Sequence, residues 1–225
     1  MSKINKNCAC FLAQASHDLR QPLQALMIYI DLFDTDNLSC KQKNIWQKIV
    51  NTTNNLNCLL GDILDFSKLE LSEFKPYKNK VNIHKLLNNI VQEYEMSAYV
   101  KNIKFEYNLC KAVIETDGIL LERILRNLLN NAFKFTKDKV NLLCKVYDDL
   151  LEISIEDNGV GINKDDLPYI FEEFYQGKNT HHINDKCGVG LGLAIVKKIT
   201  AAIGAKIKVV SAVGSGSIFT LIIKL

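Results

Sequence analysis

Proline and glycine are scarce in the first two thirds of this 225-residue chain. Its three prolines are Pro22, Pro76 and Pro168, and of eleven glycines only Gly61 and Gly118 precede residue 150. Long apolar runs are missing as well. Nothing approaches the ~20 apolar residues that cross a bilayer, and the opening MSKINKNCACFLAQ lacks a signal peptide's apolar region. The formal net charge of +3 is too small to mark a nucleic-acid surface. Zinc-type spacing is absent too: of seven cysteines only Cys8 and Cys10 lie close together, and no second pair or His cluster completes a site. This odd, dispersed set reads as reduced thiols in a cytoplasmic protein. His181-His182 reads as part of a polar loop rather than a metal pair.

What is present divides the chain in two. A hydrophobic fraction of 48% with 24% charged residues is that of an ordinary globular protein. The first 70 residues carry almost no turn signals apart from DTDNLS at 34–39, which predicts helices over about 6–34 and 41–71. SEFKPYKNK, 72–80, reads as a lysine-rich linker. Beyond it an α+β pattern begins. Helices are predicted over 83–98, 117–134, 165–173 and 190–203, and strands over 103–108, 139–147, 150–156, 206–211 and 217–224.

On the first helix Leu12, Ala15, Leu19, Leu23, Leu26, Ile30 and Phe33 share a stripe at about 100° per residue. His17 falls roughly 160° from the stripe's centre, where its ring nitrogen is available as a nucleophile. Pro22, five residues on, removes a helical hydrogen bond at a cost of about 3 kcal/mol. The second helix has its own stripe of Ile49, Leu56, Leu59, Leu60, Ile63, Leu64 and Phe66. One hairpin covers two such stripes poorly, whereas two hairpins in a four-helix bundle cover them well. Packing on the chain's own second half is the other solution.

Within DGILLERILRNLLNNAFKFT, 117–136, Asn127 and Asn131 stand one turn apart and Lys134 follows. Asparagine is a poor mid-helix residue, so the pair suggests a polar ligand or a metal-bound oxygen, and the lysine suits a phosphate. ISIEDNGVGI, 153–162, is an alternating strand that runs into Asp157, Gly159 and Gly161. Such a turn brings backbone close to a ligand. Gly188, Gly190 and Gly192 precede a helix whose free N–H groups favour phosphate. The spacing is neither a dinucleotide fingerprint nor a Walker A loop.

Taken together, these segments resemble the histidine kinase core of two-component signalling systems, in the HDLRQPL subtype found in hybrid sensor kinases. SHDLRQPL is similar to the H box, NLLNNAFKFT to the N box and DNGVGI to the G1 box. IFEEFYQ, GVGLGL and GSGSIF are similar to the F box, the G2 box and the last glycine turn. The motifs stand in family order with family spacing.

The resemblance implies a helical-hairpin dimerisation and phosphotransfer domain over 1–71, a linker over 72–80 and an ATP-binding α/β sandwich of the gyrase/Hsp90/MutL type over 81–225. It implies His17 as phosphoacceptor and Asp18 as its acidic helper. Asn131 would hold Mg²⁺, Asn127 and Lys134 would lie along the triphosphate, and Asp157 would meet the adenine amino group. Gly159 and Gly161 would shape that pocket. Gly188, Gly190 and Gly192, with Leu193 after them, would hinge a lid over about 175–190, and Phe171 and Phe174 would pack at its base beside the nucleotide. Expected partners are a second copy through residues 6–71 and a response-regulator receiver domain, with no nucleic acid and no membrane contact by this segment. The segment itself is expected to carry neither a sensory region nor a receiver. Gln21 departs from the Thr or Asn that most members use to position water for phosphatase activity. A plain ATPase of the same sandwich class, or a nucleotide-binding module without chemistry, are the competing classes.

Overall fold

The computed structural model describes residues 19–70, 76–177 and 190–225. The chain divides into two compact units, one built on the N-terminal helices and one beginning at Lys75.

In the first unit the described part of α1 runs over 19–32 and continues through Pro22. α2 is Cys40–Glu70. Ser39 and Gln42 form a reciprocal cap at its start: the Ser39 N–H and hydroxyl donate to Gln42 Oε1 at 2.9 and 2.7 Å, and the Gln42 N–H returns to Ser39 Oγ. Phe33 stacks on Trp46 with ring centroids 4.2 Å apart. The apolar stripe is only partly covered. Leu23 is buried, whereas Leu19, Leu26 and Phe33 stay exposed, as do Ile49 and Leu56 of α2.

The second unit sets three helices on one face of a mixed sheet. β1 (Asn79–Asn82) pairs antiparallel with β3 (Val113–Thr116) as a separate ribbon. The main sheet has the order β2-β4-β5-β7-β6. Its strands are β2 (Lys104–Asn108), β4 (Lys139–Tyr147), β5 (Leu150–Asp157), β6 (Lys206–Ala212) and β7 (Gly216–Lys224), with only β2 and β4 parallel. The helices are α3 (Ile83–Lys101), α4 (Gly118–Phe135) and α5 (Gly192–Ala202). Alternate residues of β4 and β5 point into the core: Val140, Leu142 and Cys144, and Leu151, Ile153 and Ile155. α4 answers with Leu121, Ile124, Leu125, Leu128 and Leu129, the helical spacing anticipated from sequence. Asp117 caps α4 by accepting from the N–H groups of Ile119 and Leu120, and its other oxygen accepts from Tyr77 N–H at 2.9 Å.

Three readings change. The stretch 165–173 is a string of turns, not a helix. Pro168 has no N–H to give, and the N–H groups of Asp166, Tyr169 and Glu172 each reach back only three residues. β1 takes up the end of the stretch read as linker, because a four-residue polar ribbon carries almost no periodicity. Cys110 and Cys144 are joined as a disulfide with Cα atoms 5.2 Å apart, so the reading of all seven cysteines as reduced thiols does not hold for this pair. They are 34 residues apart in sequence, but the parallel pairing of β2 with β4 brings them together. Cys40 is free and exposed.

Candidate functional site

β5 leads its buried row straight into a carboxylate. Leu151, Ile153 and Ile155 are followed at the same register by Asp157, only 7% exposed. Burial pushes the Asp157 carboxyl above its ordinary value, with a smaller push from Glu156; backbone N–H groups of Gly159 and Ser217 oppose this by bonding the charged form. The Gly159 N–H donates to Oδ1 at 2.8 Å. A carboxylate held this way is a preset hydrogen-bond acceptor with little competing water.

The turn after Asp157 is packed backbone on backbone. A Cβ at Gly159 would collide with the Phe135 carbonyl at the end of α4, and one at Gly161 with the Ala212 carbonyl of β6. Gly161 also has φ +67°, where side chains are strained. Val160 N–H donates to Phe135 O, and Gly214 N–H donates to Val160 O. Asn158 completes the clamp. Its Oδ1 accepts from Thr136 Oγ1 and from the N–H groups of Asp138 and Lys139, while its Nδ2 donates to Asp138.

Asn127 and Asn131 are half-buried on α4. Asn127 Nδ2 donates to the Arg123 carbonyl at 3.0 Å, which leaves its Oδ1 to face the start of α5. Gly192 makes room there, since an added Cβ would meet that oxygen at 3.0 Å. Lys134 is half-buried, with Nζ 5.0 Å from the centre of the Phe135 ring. Leu193 is half-buried in the first turn of α5. One surface of α4, the first turn of α5 and the Asp157 turn thus belong to one unit, joined by the packing of Gly159 on Phe135 and of Gly192 on Asn127.

Phe171 is half-buried, and Phe174 is 60% exposed with φ +62°. The segment that carries them is tied down by Tyr175 Oη donating to the buried Asp166 at 2.8 Å and by Lys198 pairing with Glu173 at 2.8 Å. Gly190 lies just before α5 with φ +80°. His17, Asp18, Gly188 and most of 175–190 lie outside the described residues. A shallow hollow of about 370 Å³ lined by Asn82, His84, Lys85, Lys111, Ala112 and Val113 shares no residue with the Asp157 surface. Ser217 is the residue the sequence reading passed over. It is buried and is the cross-strand partner of Asp157, a relation visible only once β5 and β7 are paired.

Among the described residues no group of three or more His, Cys, Asp or Glu is placed to hold a metal. The donors present suit a hard cation that brings phosphate and water ligands with it, as Mg²⁺ does, and needs one amide oxygen such as that of Asn131.

Two family descriptions match the chain. Residues 10–72 match the His Kinase A (phospho-acceptor) domain, and residues 116–225 match the histidine kinase-, DNA gyrase B- and HSP90-like ATPase. The aerobic respiration control sensor protein ArcB of Escherichia coli is 32% identical over 99% of this chain and 29% of its own length. The autoinducer 2 sensor kinase/phosphatase LuxQ of Vibrio cholerae is 33% identical over 94% of this chain and 25% of its own. The chain therefore spans roughly a third or less of these relatives. Among solved structures, full-length ShkA in complex with AMPPNP superposes with a TM-score of 0.74 at 29% identity, over 94% of this chain and 44% of that one.

Proposed function

The chain belongs to the histidine kinases, and from that premise we propose that it transfers the γ-phosphoryl group of Mg-ATP to His17 and then to an aspartate of a receiver domain. The observation that carries this reading is the buried Asp157 carboxylate, fixed by Gly159 and Ser217 at the edge of a surface formed by α4 and α5. A preset acceptor in a water-poor recess suits an exocyclic amine, and ATP supplies one on adenine. Asn127, Lys134 and the first turn of α5, with Gly192 and Leu193, follow along the triphosphate. Gly188 and Gly190 precede that turn in a lid-bearing segment, and Phe174 borders the base.

In this reading the imidazole nitrogen of His17 attacks the γ-phosphorus, ADP departs with the bond electrons, and Asp18 takes the ring proton. Asn131 would hold Mg²⁺ through its side-chain oxygen, and the ion would supply charge neutralisation at the phosphates. Residues 1–71 form the dimerisation and phosphotransfer hairpin, 72–80 the linker and 81–225 the nucleotide domain. No described helix is long and apolar enough to cross a membrane, and a cytoplasmic location for this segment is part of the proposal. Nucleic acid is not an expected partner.

The test is incubation with γ-labelled ATP and Mg²⁺. Label should lodge on the protein in a bond labile to acid and stable to alkali, and His17→Gln should abolish it. Label retained by that variant would overturn the assignment.

A further inference from the structure

Ser211, on β6, carries none of the roles assigned above, yet its hydroxyl sits at a junction of three contacts. It accepts from Ile162 N–H at 2.8 Å, donates to Gly216 O at 2.8 Å and lies 3.0 Å from the hydroxyl of Ser217. A serine has one proton to donate and two lone pairs to accept with. The Gly216 carbonyl can only accept, so the Ser211 proton is committed to it. The contact between the two serines is then attractive only if Ser217 donates to Ser211. This assignment satisfies all three contacts at once and fills every position on Ser211.

The consequence falls on Ser217. Its proton is committed away from Asp157, its cross-strand partner, and its remaining lone pairs make it an acceptor. Ser217 and Asp157 are both buried, so the recess presents a carboxylate and an acceptor hydroxyl, with no side-chain donor from either. The same Ser211 oxygen, through Ile162 N–H, ties the Gly159–Gly161 turn to the β6–β7 hairpin.

We propose that Ser211 is a positioning residue that holds the Ser217 hydroxyl as an acceptor beside Asp157, so that the recess selects a purine bearing a 6-amino group over one bearing a 6-oxo group. This rests on the nucleotide reading above. A 6-oxo purine carries its donor at N1 and brings an acceptor at C6 to two acceptors, so its C6 oxygen goes unpaired unless the Ser217 proton is freed.

The experiment compares binding of ADP and IDP, whose bases differ in the C6 group and in the proton that the 6-oxo base carries at N1, to the full chain by calorimetric titration. The wild type should prefer ADP. Ser211→Ala should lower ADP affinity by roughly three- to tenfold, the scale of one neutral hydrogen bond, and hold or raise IDP affinity, so that the ratio narrows. Ser211→Thr keeps the hydroxyl and should keep the ratio. A merely structural role would weaken both nucleotides in parallel, and a ratio unchanged in Ser211→Ala would overturn the proposal. Should Ser211→Ala fail to fold, Ser217→Ala removes the acceptor itself and must narrow the same ratio; an unchanged ratio there also overturns it. A wild type that binds ADP and IDP equally sinks this inference alone, whereas one that binds neither sinks the proposed function with it.

Discussion

At Asp157 the same burial acts on two quantities with opposite sign. The carboxyl is held above its ordinary value by desolvation, so the folded chain grips its proton harder than the unfolded chain. That contribution to stability is full below the ordinary carboxylate value and is lost as pH rises through the raised one. Nucleotide acceptance needs the ionised form, so ADP affinity should rise over the same interval in which stability falls. Urea unfolding and ADP titration across a pH series measure the two, and parallel trends would contradict the assignment. In Asp157→Asn both pH dependences should flatten. The amide still offers one oxygen, but a hydrogen bond to a charged group contributes about 1.5–3 kcal/mol, so affinity should fall roughly ten- to over a hundredfold. Lys134 shows the limit of residue-level reasoning. Its placement over the Phe135 ring follows from two neighbours in sequence, yet nothing in their spacing announces it.

At the scale of elements, the turn after β5 is where geometry is least forgiving. Gly159→Ala would drive a methyl into the Phe135 carbonyl, and backbone cannot swing aside as a side chain can. We expect a loss of about 3 kcal/mol or more, read as a lower urea midpoint, together with loss of ADP binding. Gly204→Ala is the control. Its φ of +73° is unfavourable to alanine but nothing lies within 4 Å of the new atom, so about 1–2 kcal/mol should be lost with ADP affinity unchanged. Equal costs for the two variants would refute the packing argument. The elements legible in sequence were those with many periods. α4 showed its buried face over several turns, and the end of β5 showed alternation at Ile153 and Ile155. Asp157 stood out as the carboxylate that ends an alternating strand ahead of Gly159 and Gly161. What stayed hidden was non-local: the four-residue ribbon of β1 and β3, the Cys110–Cys144 bridge, and the pairing of Ser211 and Ser217 with the Asp157 turn. Each depends on strand order, which no local period records. The turns at 165–173 misled because apolar spacing there coexists with Pro168.

For the whole molecule, the N-terminal helices leave apolar residues in water that a helical bundle would cover. Leu19, Leu26, Ile45 and Leu56 are all exposed, and burying such a side chain is worth about 1.5–3 kcal/mol. Sedimentation at micromolar concentration should find a homodimer, Leu26→Glu should weaken it, and a wild-type monomer would contradict the bundle. The competing activity, hydrolysis, is decided at Asn127. In the related gyrase, Hsp90 and MutL ATPases the position four before the magnesium asparagine carries a glutamate that activates water. Here its counterpart is an amide whose Nδ2 is already donated to Arg123 O. An amide oxygen cannot take a proton as a carboxylate can, so no base at this position is aimed at water. The γ-phosphate should persist until His17 reaches it. Inorganic phosphate release without a receiver should therefore be slow, with phosphate lodged on the protein, and His17→Ala should bind nucleotide while showing little hydrolysis. Rapid phosphate release that survives in His17→Ala would identify a hydrolase instead. Asn127→Glu supplies the informative converse: restoring a carboxylate there should raise the rate of phosphate release relative to label on His17, because a base then competes with the imidazole for the same phosphoryl group.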